Sequence, residues 1–344
     1  MTSLPSDLPD IRISKVMLSF VREFDAFSAI NPDNLIYTPL RGGSSKAALY
    51  RFDIGRRSYV LRLLPEQANN LARLHQTILA KQAGGIGIGP EIYFADSQMD
   101  GMIMSFIPGR TVQQKDFQNN DNLALFAKFL KKLHRAKGRF PAAYSPFRRF
   151  QNFLLKGKQE KITYPSKFNE AIMLMEELEA TFQLNPVPQV PTHLDLHPLN
   201  IMLADRQFFL VDWVNGGICD PYFDLAAFTT FQGLDESQIL TFLTHYFERP
   251  PAPSEWNRFI IAQPVRMFVI AAALLNTSLD ETRSISYDEA LKSWQLPTIT
   301  DFGKQGASEP FWPLGLAMLQ SGLELIGQKS FKTALRYTQN RLFA

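Results

Sequence analysis

The chain has one cysteine, Cys219, among 344 residues. A lone thiol excludes an intrachain disulfide and any cysteine cage for a metal, and it suits a reducing compartment. Long apolar runs are missing too. The longest, Met267–Leu275, is nine residues, and crossing a bilayer takes ~20, so a buried helix is expected there. No basic run exceeds the pairs Arg56–Arg57, Lys131–Lys132 and Arg148–Arg149. A nucleic-acid binder would gather its Lys and Arg on one face. Residues Met1–Arg12 carry Pro5, Pro9 and acids without an apolar stretch, unlike a signal peptide. A cytoplasmic protein with neither a nucleic-acid nor a membrane partner is expected. Low-complexity segments and internal repeats are absent, and oligomeric state is left open.

What is present is enough for a large core: 45% of residues are apolar and 20% charged. A net charge of +3 is compatible with a phosphate-bearing ligand. Val16, Phe20, Phe24 and Phe27 predict an opening helix over 15–28. A period of two then predicts strands at Leu35–Leu40, Ala47–Ile54 and Ser58–Leu64. A helix is expected over 67–82, closed by Gly84-Gly85, followed by a hairpin of Glu91–Ala95 and Met102–Phe106. Beyond Pro108-Gly109 long amphipathic helices dominate, including 122–136 and 166–184, with one interruption: a hairpin of Ile201–Leu203 and Phe208–Val211. Pro264 is expected to kink a later helix.

The segment richest in chemistry is Thr192–Phe228. Phosphoryl transfer needs a carboxylate to orient a hydroxyl and take its proton, and hard oxygen ligands to hold Mg²⁺ against the phosphates. Asp195 lies on a loop before an apolar strand, Asn200 ends that loop, and Asp212 ends the second strand of the following hairpin. A carboxylate for the hydroxyl, with an amide and a second carboxylate for the metal, makes a complete set. Taken singly, these are ordinary turn residues, and His193, Asp195 and His197 also spell a metal triad.

The order His-x-Asp-x-x-x-x-Asn, hairpin, Asp-Trp resembles the catalytic segment of the aminoglycoside phosphotransferase and choline kinase superfamily, distant relatives of protein kinases. That resemblance implies an α+β, bilobal, protein-kinase-like fold. Its N-lobe has a five-stranded antiparallel sheet plus a helix, and its C-lobe is mostly helical with a catalytic β-hairpin. It implies a nucleotide-binding lobe over 1–104, a hinge at 105–109 and a catalytic and substrate lobe over 110–344. ATP and Mg²⁺ are the implied cofactors, and a small molecule bearing a hydroxyl is the implied partner. Asp195 takes the part of catalytic base, Asn200 and Asp212 those of metal ligands. His193 braces the loop, and Asp224, from Asp220-Pro-Tyr-Phe-Asp224, bonds the loop backbone.

Gly42-Gly43-Ser44, between two strands, is able to fold over phosphates through its N–H groups, and is equally an ordinary hairpin turn. Arg62, in Tyr59-Val-Leu-Arg62, shares a strand face with Val60 and Leu64 and stands where the family grips the α- and β-phosphates. The linker Ile103–Gly109 resembles the family's inter-lobe hinge, which implies that Ser105 and Ile107 offer backbone groups to adenine and that Met104 backs the pocket. The family's acidic partner for the phosphate-holding residue has no counterpart, since Gln67–Pro90 contains no acid. Glu66, His75 or a water is expected instead.

Asp301-Phe-Gly303 is a coincidental triplet, Gly85-x-Gly87-x-Gly89 a helix stop, and His134 helix-end packing. Three functions compete: a small-molecule kinase, a nucleotide-binding pseudokinase or scaffold, and a non-kinase ligand binder. Within the first, a choline-, ethanolamine- or thiamine-like alcohol is expected, with an aminoglycoside as the alternative. Asp301–Ala344 carries three acids against five bases, which disfavours a polycation, while Val214 disfavours choline itself.

Overall fold

Alternation along residues 48–63 builds the centre of a five-stranded sheet whose strands run β1 (Thr38–Pro39), β2 (Ala48–Ile54), β3 (Arg57–Leu63), β5 (Gly101–Ser105), β4 (Ile92–Ala95) in space. Every neighbouring pair is antiparallel. The computed structural model describes residues 11–24, 27–40, 47–65, 68–98, 100–143, 145–277 and 311–340. They divide into two units. The first takes in the chain through Arg110, Gly138–Pro141 and Met202–Val214; the second takes in Thr111–Lys137, Ala142–Ile201 and the chain from Asn215.

In the first unit, helix α1 (Ile11–Glu23) sets Ile13, Val16, Met17 and Phe20 on one stripe against Phe52, Tyr59, Leu61 and Leu63 of the sheet. Burying such side chains is worth ~1.5–3 kcal/mol each. The opposite face carries Val60, Leu64, Met102 and Met104, packed with Ala80 of helix α2 (Asn70–Gly85). Side chains alternate across a strand, so Arg62 falls on this second face. Element boundaries depart from the periodicity where caps intervene. Helix α2 begins at Asn70 because Asn69 Oδ1 accepts the Ala72 N–H at 2.8 Å. Strand β1 shrinks to two residues ending at Pro39, which has no N–H for a ladder.

The second unit is helical: α3 (Asn120–His134), α4 (Pro146–Gln159), α5 (Phe168–Leu184), α6 (Tyr222–Phe231), α7 (Glu236–Phe247), α8 (Pro253–Thr277), α9 (Phe311–Gly327) and α10 (Lys329–Asn340). Helix α8 contains the apolar run seen in the sequence and continues through Pro264. It is long and apolar enough to cross a membrane, yet 78% of its most apolar window is buried within the protein, as the central helix of a core would be.

Short strands β6 (Val190–Thr192) and β9 (Gly217–Cys219) pair antiparallel in the second unit, and Thr192 Oγ1 donates to Gly217 O at 2.7 Å. Their brevity hid them from periodicity. The pair fixes both the start of the loop at His193 and the approach to Asp220. Between them in sequence lies the expected hairpin, β7 (Ile201–Ala204) and β8 (Gln207–Leu210).

Candidate active site

Strand β6 delivers the chain into the loop His193–Asn200 within the second unit. His193 is fully buried, and Leu194 has φ +59°, a left-handed conformation that strains a residue carrying Cβ. One carboxylate compensates. Asp224, fully buried in the first turn of α6, accepts the His193 N–H at 2.8 Å and the Leu194 N–H at 2.6 Å. Its Oδ2 also lies 3.1 Å from His134 Nε2, and His134 Nδ1 lies 2.7 Å from Tyr246 Oη. Burial above all pushes the Tyr246 phenol up, so the phenol keeps its proton, and because the Asp224 oxygen accepts from Nε2, Nδ1 of a neutral ring is left to accept from that phenol. His134 then carries its proton on Nε2, towards Asp224. His134 is therefore not helix-end packing, as its place in the sequence suggests, but a buried link from α3 to the loop.

The loop presents Asp195, whose side chain is 20% exposed. Oδ1 accepts from Arg266 Nη2 on α8, and Oδ2 accepts from Asn215 Nδ2 at 3.0 Å. His197 Nε2 lies 3.8 Å from Oδ2. Burial alone would raise the Asp195 pKa. The positive fields of His197, Arg266, His193 and Arg149 outweigh it and hold the carboxyl below the usual carboxylate range. An ionised carboxylate with an exposed edge can accept a hydroxyl proton. Asn200 donates Nδ2–H to the Asp195 carbonyl at 2.9 Å, which ties its nitrogen and leaves its amide oxygen as the lone-pair ligand of the side chain.

In the first unit Arg62 Nη2 donates to Asp212 Oδ1 at 2.7 Å, with both side chains mostly buried. Gln76 Oε1 lies 3.5 Å from the same nitrogen. Among the described residues the ion pair of Arg62 is made with Asp212, and Gln76 of α2 stands beside it. His75 Nε2 is buried without a hydrogen bond among the described residues, and Glu66 lies outside them, as do Gly42, Gly43 and Ser44. Arg62 Nε is likewise buried with no partner among the described residues, an orphan donor in want of an oxygen. Arg62, Gln76, Ile92, Met102, Met104 and Asp212 line one small pocket of this unit.

Asp212 has φ +63°, two residues beyond the point where β8 meets the glycine run after α2. Gly87 takes φ +67°. Leu210 N–H donates to Ile88 O at 2.7 Å, and a Cβ on Gly89 would meet Leu210 O at 3.0 Å. The run does more than stop a helix: it lets β8 lie close, two residues before Asp212. In the linker, Ser105 N–H is bonded to Glu91 O at 2.9 Å, and Ile107 O to Gly109 N–H at 2.8 Å.

The model of the family described as "Phosphotransferase enzyme family" matches residues 36–257, a span that holds Arg62, the loop, the hairpin and Asp224. The chain belongs to the phosphotransferase enzyme family. Among curated members, Protein LicA of Haemophilus influenzae is 25% identical over 213 residues, 59% of this chain and 60% of that protein. The chain thus spans about three fifths of the length of the curated relatives it matches. Two solved structures show the fold. A choline/ethanolamine kinase family protein from Mesorhizobium loti superposes with TM-score 0.71 at 16% identity, covering 94% of this chain and 99% of that one. Choline kinase LicA from Streptococcus pneumoniae gives 0.60 at 16%, covering 89% and 99%. The family's α+β fold is thereby established here. Arg266, Asn215 and Gln76 sit in no motif, and Arg149 stands out in the sequence only as half of a basic pair; the missing acid of α2 is the one signal near Gln76.

Proposed function

We propose that the chain is an ATP- and Mg²⁺-dependent phosphotransferase that moves the γ-phosphate to a hydroxyl of a small molecule. One observation carries the reading above all: an ionised, partly exposed Asp195 on a loop whose strained backbone is pinned by Asp224, inside the span that matches the family. Asp195 orients the acceptor hydroxyl and receives its proton as the oxygen attacks phosphorus. His193 and Asp224 hold the loop in shape. The sequence division into a nucleotide lobe over 1–104, a hinge at 105–109 and a catalytic lobe over 110–344 belongs to the same reading.

Adenine is held by the Ser105 carbonyl and the Ile107 N–H, the backbone groups left when their neighbours are tied, with Met104 behind it. The phosphates are gripped by Arg62, whose orphan Nε supports this role, and by the N–H groups of Gly42, Gly43 and Ser44. Asp212 and the amide oxygen of Asn200 are the ligands for Mg²⁺, a hard-oxygen pair suited to an ion that keeps waters and phosphate oxygens as its other ligands. No group of three or more His, Cys, Asp or Glu is gathered for a metal among the described residues, which fits an ion arriving with the nucleotide. When bound, Mg²⁺ supplies neutralisation of phosphate charge. Arg62 and Asp212 neutralise one another across their 2.7 Å contact.

A small alcohol is placed ahead of an aminoglycoside, because a choline/ethanolamine kinase family protein and a choline kinase superpose with TM-scores of 0.71 and 0.60, against 0.54 and 0.56 for two aminoglycoside phosphotransferases. The single buried cysteine suits the cytoplasm. Gln76 in place of an acid favours one second reading, a nucleotide-binding scaffold without turnover. Incubation with Mg·ATP and a metabolite pool, followed for ADP and for a mass gain of one phosphate, separates the two. Nucleotide binding without ADP release in any pool would leave the scaffold.

A further inference from the structure

The charge around Asp195 is lopsided. The strongest fields at this carboxylate come from His197, Arg266, His193 and Arg149, all of them basic, and α4, which carries Arg149, packs directly against α8, which carries Arg266. Arg266 is only 7% exposed, on α8 between Val265 and Met267, which are fully buried. Its Nη2 is committed to Asp195, while its Nε is buried without a partner among the described residues. Arg149, half-buried on α4 in the same unit, has no hydrogen-bond or ion-pair partner among the described residues. Burial first, and then the field of Arg266, push its pKa down to about 10, and Asp195 is the only group that opposes them. One carboxylate faces two guanidinium groups, and it is already paired with one of them. A buried or half-buried cation without a partner is costly and marks a place where an anion would be welcome.

We propose that the acceptor alcohol carries an anionic group, a carboxylate or a phosphate ester, which Arg149 receives with its planar fork beside Arg266. This rests on reading Asp195 as the base for the acceptor. The same charges repel an ammonium acceptor, which would need carboxylates or aromatic faces, so the site turns away from choline's end of the family. In the reaction the acceptor oxygen bonds to the γ-phosphorus, the bond from that phosphorus to the β,γ-bridging oxygen breaks, and the hydroxyl proton passes to the Asp195 carboxylate. The products are ADP and a phosphomonoester that bears the original anionic group.

The test uses the full chain saturated with Mg·AMP-PNP, so that the nucleotide's phosphate sites are filled, and titrates inorganic phosphate by calorimetry. Binding that weakens tenfold or more in Arg149→Gln, is partly kept in Arg149→Lys, and accompanies unchanged nucleotide affinity is the expected result. Phosphate affinity equal in wild type and Arg149→Gln, or no binding in either, would overturn the proposal. In parallel, glycerol, D-glycerate, sn-glycerol 3-phosphate, choline and ethanolamine are supplied with Mg·ATP, and ADP release is followed. Turnover of D-glycerate or sn-glycerol 3-phosphate at tenfold or more above glycerol supports an anionic acceptor, and the better of the two tells carboxylate from phosphate. Choline or ethanolamine used best, with Arg149→Gln improving them further, refutes the proposal while the kinase reading stands. Failure to bind Mg·ATP at all removes the kinase reading and takes this inference with it.

Discussion

His134 Nε2 and Asp224 Oδ2 lie 3.1 Å apart although ninety residues separate them in the chain. Through this contact α3 supports the same carboxylate that pins the backbone of His193 and Leu194. Replacing His134 with Leu leaves a fully buried carboxylate one donor short, which costs ~1–3 kcal/mol. The expected outcome is a lower urea midpoint at unchanged slope, together with a fall in kcat larger than any change in the KM for ATP. Wild-type stability and kcat in His134→Leu would show that the link is incidental.

Asp195→Asn keeps the shape of the loop and removes the proton acceptor. Turnover is expected to fall by ~10²–10⁴, with Mg·ATP affinity retained. Calorimetry and an ADP-release assay on the same preparation give both numbers, and near-normal turnover would exclude Asp195 as the base.

Arg62→Ala is expected to weaken ATP far more than adenosine, since its guanidinium serves phosphates and not the base. Asp212→Ala is expected to weaken metal-dependent nucleotide binding. Because the two side chains meet at 2.7 Å, the double variant should depart from the sum of the singles by ~0.5–3 kcal/mol. Additive effects, or equal losses for ATP and adenosine, would reduce Arg62 to a structural role.

Cys219 is 4% exposed, and burial pushes its thiol up to about 12. A thiol reagent at pH 8 is therefore expected to leave the native protein untouched and to titrate one group after unfolding. The sign follows from linkage. The folded state holds the proton more tightly, so this group's contribution is complete below the unfolded thiol's pKa. It declines as the pH rises from there through about 12. Rapid labelling of native protein would contradict the burial of β9.

What the sequence determined by itself was local and ordered. Alternation and helical stripes depend on neighbours two to four residues away, so the strands around Tyr59 and the core positions Val16 and Phe20 were legible, although α1 ends at Glu23, short of Phe24 and Phe27. The order of Asp195, Asn200, Asp212 and Asp224 was legible too. Tertiary structure decided the partners. Arg266 reaches Asp195 across 71 positions and Asp212 reaches Arg62 across 150. His134 entered as the end of a helix and proved to be a buried hydrogen-bonding link. Gln76, one place beyond His75, is the α2 side chain beside Arg62. No periodicity encodes such pairs. A charge or a histidine reads the same along the chain whether it meets solvent or a carboxylate, and only packing sets its distance, its burial and hence the energy of the meeting.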